Sequence, residues 1–286
     1  MRPFRETSIA SSVVAAVGGL TSLVAVNGCA GTPSKPDDSV SLAQDGTDAN
    51  DVESQSSALT ASFTLATSDF SDATASVAAA SGVGSFFTPS TCISAAQDLA
   101  SGTVTYTLGA SGVPCSGPWG LAGVTGTVKV VYATKNGGVT LDVNADALQF
   151  NSRRPNHASA DLHGTATISA KAGGGREMTW NATLSGMTAR GNAFSRTSTW
   201  DTTWQVGESC ISLAGSAEGD VNGRSLKTTV TSYQRCLASC PASGGRIKIE
   251  REDDGEEVTL DYNGGNDATF TGVNGKQTNI NLACGL

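Results

Sequence analysis

The chain has 286 residues, 34 of them glycine, with aromatic residues at 6% and a formal charge of −8 at neutral pH. An acidic chain without grouped Lys and Arg is a poor partner for nucleic acid, because neutralising phosphates takes clustered cations. A core drawn from Ala, Val, Leu and Ile with so few rings is thin, and a fold built on it gains from covalent cross-links.

The N-terminus carries Arg2 and Arg5, then an apolar, uncharged stretch over residues 10–26. Val26-Asn27-Gly28-Cys29 follows, with an aliphatic residue at −3, a small one at −1 and a cysteine at +1. This run resembles the lipobox of bacterial lipoproteins, with Asn27 where a small or aliphatic residue is usual. The resemblance covers residues 1–29. It implies a signal peptide over residues 1–28, a diacylglyceryl group on the thiol of Cys29, cleavage before that residue, and a fatty acyl chain such as palmitate on the new N-terminus. Acyl chains at ~0.8 kcal/mol per buried CH₂ would then hold the protein to a bilayer. A plain secretory signal or an uncleaved anchor are the competing readings. The shortness of the stretch and its Ser, Thr and Gly content favour the lipoprotein. Ala30 in place of Asp resembles the enterobacterial signal for transfer to the outer membrane.

Residues 29–62 read as a disordered acidic tether. Asp37, Asp38, Asp45, Asp48, Asp51 and Glu53 stand against Lys35 alone, there is no apolar period, and nothing large is available to bury. A segment of this kind does not offset its own ordering entropy. Residues 63–286 form the expected folded domain. Its first part, over residues 63–80, is Ala- and Ser-rich and reads as a short helix or irregular chain.

Beyond residue 100 the apolar period is two. Val139, Leu141, Val143, Ala145 and Ala147 alternate with polar residues, as do Ala158, Ala160, Leu162, Ala166 and Ile168. Strict alternation buries one face of a strand and wets the other. Further strand-like runs cover 103–108, 126–134, 178–184, 194–206, 211–217, 226–233, 247–250, 258–262, 268–273 and 277–282. Asn136-Gly137, Asn222-Gly223, Asp254-Gly255, Asn263-Gly264 and Asn274-Gly275 sit between such runs and supply the positive φ of tight hairpins. The expected fold is all-β: an antiparallel meander of hairpins, closed as a sandwich or barrel or left as a long curved sheet, and stabilised by disulfides.

With Cys29 set aside for lipid, Cys92, Cys115, Cys210, Cys236, Cys240 and Cys284 remain, an even number that suits an oxidising compartment. Cys210 and Cys236 lie symmetrically about Gly223, so one hairpin would bring them face to face. Cys92 with Cys115 and Cys240 with Cys284 are then the remaining pairs. The segment from Cys115 to Gly120 and the tail from Val258 to Leu282 also resemble uncharacterised β-rich bacterial lipoproteins, a group that lends no activity.

Catalytic motifs are sparse. The two histidines, His157 and His163, read as surface residues, and neither Gly-x-Ser-x-Gly nor His-Glu-x-x-His occurs. No catalytic residue and no cofactor is assigned. Asp254, Asp261, Asn263 and Asp267 carry oxygen ligands at spacings that calcium uses, though at hairpin turns where a solvated loop is the plainer reading. Trp180, Trp200 and Trp204 would form a platform for a sugar or a protein if exposed, and core if not.

The expectation is an envelope lipoprotein that reaches the bilayer through Cys29, at the outer membrane, and displays a non-catalytic binding or structural domain to an unidentified protein or glycan. A secreted hydrolase of polysaccharide or cell wall and a calcium-dependent surface module are the alternatives.

Overall fold

The computed structural model describes residues 38–67, 72–135, 138–151, 157–237 and 240–282. Cys29, Cys284 and the Asn136-Gly137 turn lie outside them. Helix α1 (Ser39–Ser62) comes first, then the short α2 (Ala73–Ala79). Thirteen strands follow. They are β1 (Ile93–Asp98), β2 (Thr103–Leu108), β3 (Thr125–Lys135), β4 (Gly138–Phe150), β5 (Ala158–Ala170) and β6 (Gly175–Met187). The chain continues through β7 (Ala193–Gln205), β8 (Cys210–Val221), β9 (Arg224–Cys236) and β10 (Arg246–Arg251). It ends with β11 (Glu257–Gly264), β12 (Asp267–Thr271) and β13 (Gln277–Asn281).

Each strand pairs with its neighbours in sequence, so the fold is an all-β antiparallel meander. Among the described residues β1 pairs only with β2 and β13 only with β12, which makes the sheet an open one, not a barrel. The period of two sets its faces. Val139, Leu141, Val143, Met178, Trp180, Leu184, Phe194 and Trp200 are buried, while their sequence neighbours on these strands are mostly exposed. Asn222 and Gly223 both take positive φ, 55° and 74°, and turn β8 into β9 as the sequence requires. Cys210 stands opposite Cys236 in that pair and is bonded to it, and Cys92 is bonded to Cys115. Cys240 is bridged as well.

Over residues 38–62 the expected disordered tether is not what forms, and residues 29–37 lie outside the described ones. Ser39–Ser62 is a continuous helix, and 19 of its 24 residues are buried. It contacts β4 through β11. Eight flat strands would span about 34 Å, three times the width of a helix, so the sheet must curve around α1 for all of them to reach it.

The physical reason for the error lies in the partners of the acidic residues. Asp38 is 2.8 Å from Arg251 and 3.6 Å from Arg224, and Asp45 is 3.3 Å from Arg224. Asp48 meets Arg190 at 2.6 Å, Asp51 meets Arg235 at 3.0 Å, and Glu53 meets Arg196 at 3.5 Å. Every carboxylate of the helix is therefore matched by a guanidinium from the sheet or its turns. Self-repulsion, which would extend a free chain, is replaced by cross-chain attraction. Ser, Asp, Asn and Gly make α1 a poor helix by propensity, and it has no apolar stripe. Docking, not local preference, holds it.

At the exit of α1, Arg176 donates to the carbonyls of Thr64 and Thr67 at 2.6 and 2.5 Å, and Phe63 stacks on Tyr106 with ring centroids 4.3 Å apart. Asp72 caps α2 by accepting from Thr74 N at 2.8 Å, which places part of the ambiguous first segment in a helix packed on β1 and β3.

Candidate functional site

The most developed hollow crosses the outer face of β5 to β8, on the side of the sheet away from α1. Its floor follows a single register row: Gly164 opposite Ala182, Ala182 opposite Ser198, Ser198 opposite Ala217. These positions point inward and carry small side chains. Close packing then lets the sheet dip toward α1 along this line. Gly164 has a specific reason to lack a side chain. A Cβ there would lie 2.5 Å from the Trp180 indole, which passes beneath it, and 2.7 Å from the Asn181 carbonyl oxygen.

Two outward rows form the walls. One runs His163, Thr183, Thr197, Glu218, and the other Thr165, Asn181, Thr199, Ser216. The trough between them has a volume of about 470 Å³. A second hollow of about 300 Å³ lies beside it across the shared His163 and Thr183 and reaches Asn144, Asp146 and Asp161 on β4 and β5. A bulge shapes that end. The β4–β5 register slips between Ala145 and Leu148, Ala147 takes φ of 51°, and its N–H donates to Asp161 Oδ1 at 2.7 Å.

Donors and acceptors in the trough are partly oriented. Thr199 Oγ1 donates to Asn181 Oδ1 at 2.9 Å, so the Asn181 amide presents its N–H groups outward. Thr183 Oγ1 donates to the His163 carbonyl at 3.4 Å, and Asn144 Nδ2 lies 3.4 Å from His163 Nδ1. Glu218 on β8 stands three strand spacings, about 14 Å, from His163 on β5. The row is thus a line of separate polar contacts, not a base and acid gathered on one atom.

Comparison with protein-family models, curated proteins and solved structures returns no match.

The residues singled out by sequence fall elsewhere. Trp180, Trp200 and Trp204 are 0%, 1% and 4% exposed on the inner face, so they are core and offer no platform. A chain this poor in rings places them where they bury most area. The four oxygen-bearing residues do not form one site. Asp254 lies in the β10–β11 turn bonded to Arg251, whereas Asn263 and Asp267 lie at the far end of β11, with Asn263 donating to Thr269 Oγ1 at 3.0 Å. Asp261 pairs with Arg246 at 2.5 Å. Two arginines, Arg246 across the strand pair and Arg251 three residues before Asp254, occupy two of the carboxylates that a cation would have used. Among the described residues no three His, Cys, Asp or Glu gather in metal-binding geometry. His163 does point outward as its parity required, but its membership of a trough depends on four strands aligning, and one strand's pattern carries no trace of that.

Proposed function

We propose that the chain is a lipid-anchored envelope protein that uses the outer face of its curved sheet for non-catalytic binding. The observation that supports it best is the pair of bridges Cys92–Cys115 and Cys210–Cys236, which suit an oxidising compartment and agree with a chain that begins with an export signal. The described fold starts at Asp38, nine positions after Cys29. Among the described residues no helix is long and apolar enough to cross a membrane, and attachment in this reading rests on the acyl chains. Ala30 directs the protein to the outer membrane.

The test is mass spectrometry of the mature N-terminal peptide from isolated envelopes. A diacylglyceryl-modified Cys29 is expected, with Cys29→Ala moving the protein from the membrane pellet to the soluble fraction. Recovery of an unmodified Cys29, or of Met1 at the N-terminus, would overturn the anchor.

A further inference from the structure

We propose that the trough across β5 to β8 binds a linear polysaccharide without acidic groups, laid across the strands. This deepens the reading of the outer face as a binding surface and does not depend on the anchor.

The shape argues for a chain. The trough follows one line over four strands, from β5 to β8. Three strand spacings give about 14 Å, the reach of a few sugar rings. The floor is shallow and open, so it does not enclose a compact small molecule as a buried pocket does.

The chemistry argues for hydroxyls. The walls offer Thr165, Thr183, Thr197, Thr199 and Ser216 as combined donors and acceptors, and Asn181 as an oriented donor. The carboxylate of Glu218 and the hydroxyls of Thr165, Thr197 and Ser216 make no hydrogen bond or ion pair to the described residues. A carboxylate accepts from two vicinal hydroxyls of a sugar without loss of charge balance.

Other polymers fit less well. Asp146, Asp161 and Glu218 line the two hollows, and the cations on the same register row, Lys129 and Lys227, stand singly at its two ends, so nucleic acid and acidic glycans find no clustered cations. A peptide strand needs a free sheet edge, and β5 to β8 are paired on both sides.

The experiment is affinity gel electrophoresis of the full mature protein through gels containing a soluble β-glucan, an α-glucan, a galactomannan, polygalacturonate or no polymer. Retardation by at least one neutral polymer and none by polygalacturonate is expected. Paired changes Asn181→Ala with Thr197→Ala should weaken that retardation at least tenfold, as should Glu218→Gln with Ser216→Ala. The control Thr259→Ala with Thr271→Ala, on outward positions of β11 and β12, should not. All these side chains point away from the core, and an unchanged thermal midpoint verifies folding. The proposal is overturned if no neutral polymer retards the protein, if the trough variants are retarded like the parent, or if polygalacturonate binds best. Because lipidation of Cys29 is measured separately, a lipidated protein that binds no glycan sinks the trough and leaves the anchor standing.

Discussion

Glu53 and Arg196 are withdrawn from water, each side chain 0% exposed. Neither oxygen of Glu53 has a hydrogen-bond partner, and Arg196 satisfies only Nη2, on the Ala217 carbonyl at 2.6 Å. Burial pushes the Glu53 carboxyl up to about 7 against an ordinary 4.5, and the attraction of Arg196 offsets part of that. The folded state therefore keeps a proton that the unfolded chain gives up. Below pH 4.5 both states are protonated and the contribution is constant. As pH rises from 4.5 to about 7 the unfolded chain ionises first and stability falls, and above 7 the cost is complete at about 3 kcal/mol. Glu53→Gln removes the ionisation and keeps the shape. It should exceed the parent by about 1 kcal/mol near pH 5 and by about 3 kcal/mol at pH 8. Urea unfolding followed by tryptophan fluorescence at several pH values measures the difference. A variant whose advantage does not grow between pH 5 and pH 8 would show that another group sets the slope.

At the scale of elements, α1 is the part that decides the architecture and the part the sequence hid. Gly46 illustrates how tightly it is seated. A Cβ at Gly46 would lie 2.7 Å from Cγ1, Cγ2 and Cδ1 of Ile249 on β10. In an isolated helix Gly→Ala gains about 1 kcal/mol. Here overpacking against a branched, buried side chain costs about 1–3 kcal/mol. Gly46→Ala is thus expected to destabilise the protein, yet to stabilise it by about 1 kcal/mol in an Ile249→Ala background, where the space is open. Calorimetric or denaturant midpoints of the four chains test that reversal of sign, and two effects of the same sign would place α1 elsewhere.

The contrast with the strands shows what was legible. A strand announces its buried face by alternation, and Asn222-Gly223 announces its turn, so the meander and the Cys210–Cys236 bridge could be read locally. Helix α1 buries Ser, Asn, Asp and Glu, whose partners Arg190, Arg196, Arg224, Arg235 and Arg251 lie more than a hundred residues away. A charge count over residues 29–62 sees repulsion because it omits those arginines. The trough was hidden for a related reason. Thr183, Thr197 and Glu218 each look like ordinary wet strand positions until registration sets them in one row.

For the molecule as a whole, the consequence is that the helix Ser39–Ser62 is interior. A tether could be cut away without harm, whereas removal of α1 would leave the inner face of β4 to β11 in water, including Trp180, Trp200 and Trp204, and strand Arg196 and Arg224 without their carboxylates. Two chains separate these outcomes. One beginning at residue 37 keeps every ion pair of the helix and should unfold at the temperature of the mature protein. One beginning at Phe63 retains the Cys92–Cys115 and Cys210–Cys236 bridges, each worth about 3 kcal/mol of chain entropy for loops of this size, but loses the element around which the sheet curves. Exposed apolar sheet of that extent drives association. The shorter chain should therefore lack a cooperative thermal transition and elute as aggregate. Digestion of the longer chain with a protease specific for glutamate gives an independent readout. Cleavage at Glu53 should be absent under native conditions and appear only with denaturant, because the bond lies in a buried helix. Rapid native cleavage at Glu53, or a well-folded chain beginning at Phe63, would mean that the helix is dispensable and that the sheet keeps its curvature by its own twist.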